Sequence, residues 1–564
     1  MVLAVGANVF DQNVTTFQQE IVGALGAAEA ADGARAANHP SGSDGWRTKT
    51  DTASAMTVAD AAGRRWLVHL AGAETPAASA GLAAPRVGVA DATVTEGDAG
   101  GGAAGYFSTS GNQIVDAQGR SVRLAGVNWF GAESTTFAPH GLWSRGYKEM
   151  MDQMVGLGFN TLRLPFSDEL LDPGSQPNGI DFAKNADLQG LSGLEVLDRV
   201  VAYAGEVGLR VILDHHRSAA GTGVSDNGLW YDDRYPEATW IADWKRLARR
   251  YAGNPTVIGA DLHNEPHNGV WGGGGATDWP AAAERAGNAI LAVNPNWLIF
   301  VEGVAVDGGK SYWWGGNLKG VARRPVKLDV PHKLVYSAHD YPNSIYAQTW
   351  FSDPRYPKNL PAKFSEFWGY IHRQKIAPVL IGEFGSRLED PKDVSWFKTI
   401  TAYLDGDLDA DGDRDLPAGD IGFHWTWWSW NPNSGDTGGI LADDWTTVQT
   451  AKVEGLEPLM FAWQDAGGTS GRRRARFVVT LSRRAAEQVK VRYRTVHGTT
   501  SAGDVVLRNG TLTFRPGERR KTILVPIVGD AKPEGTERFR LELTGASGAS
   551  LGRRTATGTI RDDD

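Results

Sequence analysis

The chain has 564 residues, with 57 Lys and Arg against 66 Asp and Glu, a formal net charge of −9, and no cysteine. This length exceeds what one hydrophobic core serves, so more than one domain is expected. The lack of cysteine excludes a disulfide framework and is neutral on compartment, and no apolar run is long enough to cross a membrane.

Residues 1–86 are rich in Ala and Gly and hold one strand-like piece, RRWLVHLAG (64–72), with no role assignable from sequence. No charged stretch followed by an apolar core stands at Met1, so no secretory signal is visible. Next comes PRVGVADATVTEGDAGG (85–101), which reads as an opening strand over 87–100. A Gly-rich joint, GDAGGGAAG (97–105), leads into the central region.

Across residues 105–463, eight candidate strands recur at fairly regular spacing. They are VRLAGVNWF (122–130), NTLRLPF (160–166), LRVILDHH (209–216), TVIGADLHNEP (256–266), NWLIFVEG (296–303), KLVYSAHDYP (333–342), APVLIGEFG (377–385) and IGFHWTWWSW (421–430). Continuous apolar runs of this kind suit parallel strands covered on both faces. Between them lie amphipathic segments such as GLEVLDRVVAYAGEVG (193–208) and ATWIADWKRLARRYAG (238–253). Eight strand-helix units predict an α/β chain folded as a (β/α)8 TIM barrel with insertions. Pattern alone leaves a doubly wound sheet open.

Two of these runs end in glutamates, Glu265 in IGADLHNEP (258–266) and Glu383 in APVLIGEFG (377–385). The carboxyl end of a barrel strand is where an active site is built. Two carboxylates facing one bond are what glycoside hydrolysis needs, one acid to protonate the leaving oxygen and one base to attack or activate water. Taken alone, His-Asn-Glu-Pro also reads as a helix start, and Arg163 as an ordinary ion-paired barrel residue. The adjacent His215 and His216 admit a metal-dependent hydrolase, although no third ligand stands at a helical or hairpin spacing.

From about Tyr106 to Trp463 the chain resembles glycoside hydrolase family 5, in particular its bacterial endo-β-1,4-glucanase (cellulase) branch. HGLWSR (140–145), YWWGGNL (312–318) and WSWNPNSGDTGGIL (428–441) carry the branch-level likeness. The resemblance implies a retaining double displacement with Glu265 as acid/base and Glu383 as nucleophile. It also implies supporting or substrate-binding roles for Arg163 in RLPF, His216 in LDHHR, Asn264, His339 and Tyr341 in SAHDYP, and Trp428 in TWWSWNP, with His140 in HGLWSR beside them.

Each assignment is chemically sensible. Arg163 offers paired donors to an ionised Glu383, and Tyr341 offers a further hydrogen bond. Asn264 presents an amide to the sugar 2-hydroxyl. His216 and His339 suit orienting sugar hydroxyls or tuning the nucleophile, and Glu265 needs a raised pKa. A retaining site predicts carboxyl groups about 5–5.5 Å apart and requires no cofactor.

The chain holds 21 Trp, many just after predicted strands: Trp129, Trp143, Trp230, Trp271, Trp313, Trp314, Trp425, Trp427, Trp428 and Trp430. Pyranose faces pack on flat aromatic surfaces at little side-chain entropy cost, and a groove of such platforms suits the interior of a polymer. Strand alternation assigns Trp425 and Trp427 to the core. Trp428, Trp143 and Trp314 are the expected sugar contacts.

Residues 468–564 read as all-β. RFVVTLS, VKVRYRTV, GTLTFRPG, KTILVPIV and RFRLELTG alternate or run apolar between turn residues. With PEGTERF and TGTIRDDD, this end resembles a Calx-β module, an immunoglobulin-like sandwich. It lacks an opening strand, which residues 87–100 would supply, so the barrel reads as inserted between strands one and two of that module. The other reading of residues 87–100 is a plain linker in which VTEG carries no meaning.

The resemblance implies Ca²⁺ as a candidate ligand at Glu96, Asp530, Asp562, Asp563 and Asp564, although a charged terminus is more often simply solvated. DGDLDADGDRD (405–415) contains D-x-D-x-D-G, but position twelve is Ala418, so it reads as a surface insertion. Residues 469–564 hold 20 basic and 10 acidic side chains, a balance of +10, leaving 37 against 56, or −19, elsewhere. The arginines fit solvated strand faces, and no groove motif or stacking pattern for nucleic acid accompanies them.

The expected partner is a β-1,4-linked polysaccharide, with no nucleic acid and no membrane span. The expected state is a monomer acting outside the cell, because a polymer cannot enter it. Cellulose-type glucan follows from resemblance alone. An endo-acting mannanase or xylanase stays open, because loop details read the hydroxyls. The other class is a non-catalytic glycan-binding or adhesion protein built on a barrel relic, against which Arg163, Asn264, Glu265, Tyr341 and Glu383 argue.

Overall fold

The computed structural model describes residues 55–59, 65–69, 84–95, 103, 105–417, 419–461, 463, 474–501, 504, 505, 507–514, 519–527 and 534–561. The chain divides between Ala84 and Pro85 into two units. In the first, Ala55–Ala59 and Arg65–His69 pair as an antiparallel ribbon.

The second unit is built on eight parallel strands: β1 Ala125–Asn128, β2 Thr161–Ser167, β3 Arg210–Arg217, β4 Val257–Asp261, β5 Leu298–Glu302, β6 Leu334–His339, β7 Val379–Phe384 and β8 His424–Trp427. They close into a barrel in which β8 pairs with β1. Closure decides between the two sheet topologies, since every strand has two neighbours and none is an edge. Six of the eight strands are shorter than their apolar runs, whereas β2 and β3 equal theirs in length and lie one residue further on. TVIGADLHNEP yields only Val257–Asp261, so Glu265 stands beyond the ladder on the loop that follows.

Helices clothe the barrel as the 3.6-residue period requires. Gly193–Glu206 starts at a capping box between Ser192 and Glu195 and buries Leu194, Val196, Leu197, Val200, Val201 and Ala204. Glu237–Arg250 buries Trp240, Trp244, Leu247 and Ala248. Each fully buried Val or Leu among them contributes roughly 1.5–3 kcal/mol against exposure, so the apolar stripe fixes which face docks. DGDLDADGDRD lies mostly exposed between helix Pro391–Asp405 and β8.

The C-terminal strands form a sandwich. One sheet orders Arg520–Pro526, Arg474–Leu481, Arg86–Val89 and Ser550–Leu551; the other orders Asn509–Phe514, Val489–His497, Glu537–Ser547, Thr555–Arg561 and Ala92–Thr95. The run expected as one opening strand is thus two strands in opposite sheets. Asp91 makes the crossing, its carboxylate accepting from Thr557 N at 2.7 Å and pairing with Arg553. Val87, Val89 and Ala92 point into the core with Phe477, Val491, Phe539 and Leu541. The barrel therefore lies, in sequence, between strands of one sandwich. Arg476 pairs with Glu457, and Lys521 Nζ donates to Thr450 Oγ1 at 3.3 Å, linking sandwich to barrel.

Candidate active site

The carboxyl ends of the strands gather polar side chains around one cation. Arg163, fully buried on β2, donates to Glu383 (2.8 Å), Asp261 (2.8 Å), Glu302 (3.0 Å), Asn128 (3.0 Å) and Asn264 (3.1 Å), and pairs with Asp214 at 3.1 Å. The other Glu383 oxygen accepts from Tyr341 Oη at 2.7 Å. Donors on both oxygens suit a carboxylate held as an anion in a fixed rotamer.

Glu265 sits in a contrasting environment. Its backbone has φ +48°, the left-handed region that a non-glycine residue rarely adopts. Glu302 helps to hold it there by accepting from Glu265 N at 2.7 Å. Burial, opposed by the hydrogen bond from His339, raises its carboxyl pKa above the usual range. A proton is thereby retained toward neutrality, as a general acid needs.

His339 bridges the carboxylates, with Nδ1 2.9 Å from Glu265 and 3.6 Å from Glu383, and Nε2 3.1 Å from Glu302. Burial alone would lower its pKa, but the charges of Glu302 and Glu383 outweigh that and raise it well above the ordinary imidazole value. His216 behaves alike. Burial opposes its charge, and Asp214, 2.7 Å from Nδ1, leads the groups that raise its pKa.

Aromatic rings line the opening. Trp428, half-buried after β8, stacks on His216 at 5.5 Å and on Phe130 at 5.3 Å. His140 lies edge-on to Phe130 at 5.3 Å and beside Trp143, which is 41% exposed. Burial pushes the His140 pKa down to about 4, so its ring is neutral at ordinary pH. Trp314 is 48% exposed, whereas Trp129, Trp230, Trp425, Trp427 and Trp430 are fully buried and Trp271 and Trp313 nearly so. Among the described residues, the three Trp selected by sequence are the ones left accessible; the rest are packing.

The site thus brings Arg163, Asn264, Glu265, His339, Tyr341 and Glu383 together. His216 and Trp428 follow on one flank, and His140 and Trp143 lie farther out along the rim. Four participants escape sequence reading: Asn128, Asp214, Asp261 and Glu302. Each lies at or near the carboxyl end of a predicted apolar strand, and a polar group placed there was the available signal. Burial leads the causes that raise the Asp261 pKa to about 8, which spares the cluster one negative charge.

Donor atoms of Asp214, His216 and Glu383, or of Asp214, Asp261 and Glu302, approach within 4.8 Å. Arg163 already bonds Asp214, Asp261, Glu302 and Glu383, so the guanidinium fills the cationic place in this cluster. Glu96, Asp530, Asp562, Asp563 and Asp564 lie outside the described residues. At the sandwich, Asp504, Glu534 and Glu537 bring carboxylate oxygens within 4.8 Å, an all-oxygen set suited to a hard cation.

These features define a glycoside hydrolase of the two-carboxylate type. A profile described as Cellulase (glycosyl hydrolase family 5) matches residues 115–434, and one described as Calx-beta domain matches residues 469–564. The chain belongs to glycosyl hydrolase family 5 and carries a Calx-β domain. It is 51% identical over 363 residues to an endoglucanase of Paenibacillus polymyxa, covering 63% of this chain and 87% of that one. It is 42% identical to the major extracellular endoglucanase of Xanthomonas campestris pv. campestris, covering 66% and 74%. Among solved structures, an endocellulase from Pyrococcus horikoshii in complex with cellotetraose matches with TM-score 0.57 and 39% identity, covering 63% of this chain and 98% of that one. Among the described residues, no helix is long and apolar enough to cross a membrane.

Proposed function

We propose that the protein is a retaining endo-β-1,4-glucanase that cleaves internal bonds of cellulose-type polysaccharide outside the cell. The observation that carries the mechanism is the spacing of the two glutamates. Carboxylate oxygens of Glu265 and Glu383, with a His339 nitrogen between, lie within 4.8 Å of one another. Retaining sites hold their carboxyl groups about 5–5.5 Å apart, whereas inverting sites need roughly 6.5–9.5 Å to admit a water.

In the first step Glu383 attacks the anomeric carbon, the glycosidic C–O bond breaks, and Glu265 gives its proton to the departing oxygen. His339 donates to Oε1 of Glu265, which leaves Oε2 to carry that proton. Arg163 and Tyr341 hold Glu383 in line. In the second step Glu265, now a base, takes a proton from water as the water attacks the same carbon, and Glu383 is released. Asn264 uses its side-chain oxygen on Arg163, while its buried Nδ2 has no protein acceptor. A sugar 2-hydroxyl is the natural acceptor, and that contact strengthens in the oxocarbenium-like state.

The glucan assignment and the extracellular setting rest on likeness to the named endoglucanases. All participants come from one chain, which fits action as a monomer. The deciding assay measures viscosity loss and reducing-end release on carboxymethyl cellulose, with mannan, xylan and mixed-linkage glucan alongside. Rapid viscosity loss on the cellulose derivative is expected. Preference for mannan or xylan would overturn the substrate assignment, and release of the α anomer first, seen by proton NMR, would overturn retention.

A further inference from the structure

Three loops at the barrel mouth meet in one stack. The ring of His267, on the loop after β4, lies flat against Trp314, on the loop after β5, with centroids 4.0 Å apart and planes at 15°. The same ring also meets the loop after β3. A Cβ on Gly228 would come within 2.4 Å of His267 Nε2, so the glycine lets backbone close against the imidazole. Asn268 N donates to Gly228 O at 3.1 Å, and Asn268 Nδ2 to Asn227 O at 2.9 Å, tying the same loops.

The stack is anchored to the acid/base. The carbonyl of Glu265 accepts from His267 N at 2.6 Å and from Nδ1 at 3.1 Å. One ring therefore braces the left-handed backbone of Glu265 and backs Trp314, whose 48% exposure leaves its opposite face open. Next to Trp314, a Cβ on Gly315 would meet Glu302 Oε2 at 2.5 Å and His339 at 3.2 Å, the groups that hold Glu265. Trp314 thus flanks the acid, on the β4–β5 side, whereas Trp428 follows β8 beside the nucleophile's strand. The acid protonates the departing sugar, so the Trp314 side is the leaving-group side.

We propose that His267 is a positioning residue for the leaving-group half of the cleft. It sets the Trp314 ring as a platform for the sugar beyond the cleaved bond and keeps that platform in register with the Glu265 carboxyl. The proposal rests on the assignment of Glu265 as acid/base. The mechanical reason is preorganisation. A half-exposed indole backed by a flat ring on three tied loops has fewer orientations to lose on binding than one projecting from a single loop.

The test compares kcat/KM on cellopentaose, which occupies the leaving-group side with sugar, and on dinitrophenyl β-cellobioside, which does not and needs little protonation. For His267→Ala the ratio of the two should fall about tenfold, the scale of coupling between residues in contact. His267→Phe, which restores a flat ring, should recover most of the KM for cellopentaose. Trp314→Ala should show the same selective loss, and the double alanine variant should lose little more than either single one.

Equal losses on both substrates, or additive losses in the double variant, would overturn the proposal. If His267→Ala does not fold, Trp314→Ala and His267→Phe still decide. An unchanged substrate ratio in Trp314→Ala rejects the platform, and a Phe variant no better on cellopentaose than Trp314→Ala rejects the support. A wild-type protein inactive on cellopentaose but active on another oligosaccharide would overturn the glucan assignment alone, and the same ratio is then read on that oligosaccharide.

Discussion

Glu265 and Glu383 carry the same functional group and differ only in what surrounds it. Arg163 and Tyr341 donate to the Glu383 carboxylate, whereas burial dominates at Glu265. Glu383→Gln should therefore abolish turnover of every substrate. Glu265→Ala should lose hydrolysis of natural polymers yet form the glycosyl-enzyme on aryl glycosides, visible as a burst, because a good leaving group needs little protonation. Absence of that burst would count against the assignment.

The pH dependence follows from the same contrast. Turnover needs Glu265 protonated, so kcat/KM should fall on the alkaline side as pH rises through its elevated pKa. His339 acts to lower that pKa. Its replacement by Asn should accordingly move the alkaline limb to higher pH, and a shift toward lower pH would contradict the bridging role. Trp428→Ala should weaken sugar binding beside the cleaved bond by roughly 1–3 kcal/mol while leaving the melting temperature nearly unchanged, since the ring is only half-buried.

For the strands, Arg163 is as much a structural tie as a catalytic support. From β2 it reaches side chains on β1, β3, β4, β5 and β7, namely Asn128, Asp214, Asp261, Glu302 and Glu383. Removing the cation leaves buried carboxylates facing one another. Arg163→Met should cost about 3–5 kcal/mol of stability, measured by urea unfolding, besides abolishing activity. Arg163→Lys should rescue little, because a point charge cannot span acceptors on several strands. The predicted strands were legible because apolar runs in a covered barrel have no polar face to interrupt them. Their carboxyl ends were harder, because functional side chains continue the chain past the last ladder bond, as Asn264 and Glu265 do beyond Asp261.

At the scale of the molecule, the first and last parts of the second unit share one sandwich core. Val479 pairs with Val89, and Gly558 with Ala92, across the whole length of the barrel. Val87 is fully buried there. Val87→Asp should place an unpaired charge in that core and destabilise the sandwich by several kcal/mol, exposing residues 474–561 to protease. Cleavage of short soluble oligosaccharides by the barrel should persist. Protease resistance equal to wild type would show that residues 86–95 do not hold the sandwich together.

Closure decided for the barrel over a doubly wound sheet. The sequence by itself determined the eight strand runs, the two catalytic candidates and, among the described residues, the accessible tryptophans. These are local facts: apolar runs, a carboxylate where each run stops, and an alternation that sends Trp425 and Trp427 inward. It also carried the likeness to a Calx-β module, since VTEG stands before the barrel and PEGTERF after it. Tertiary structure alone decided that the opening run splits at Asp91 into two sheets, because a turn of that kind is fixed by partners far along the chain. It alone showed that Asp214, Asp261 and Glu302 surround Arg163, and that His267 backs Trp314. Those contacts join residues on different strands and loops, and only barrel closure brings them within hydrogen-bond or stacking distance.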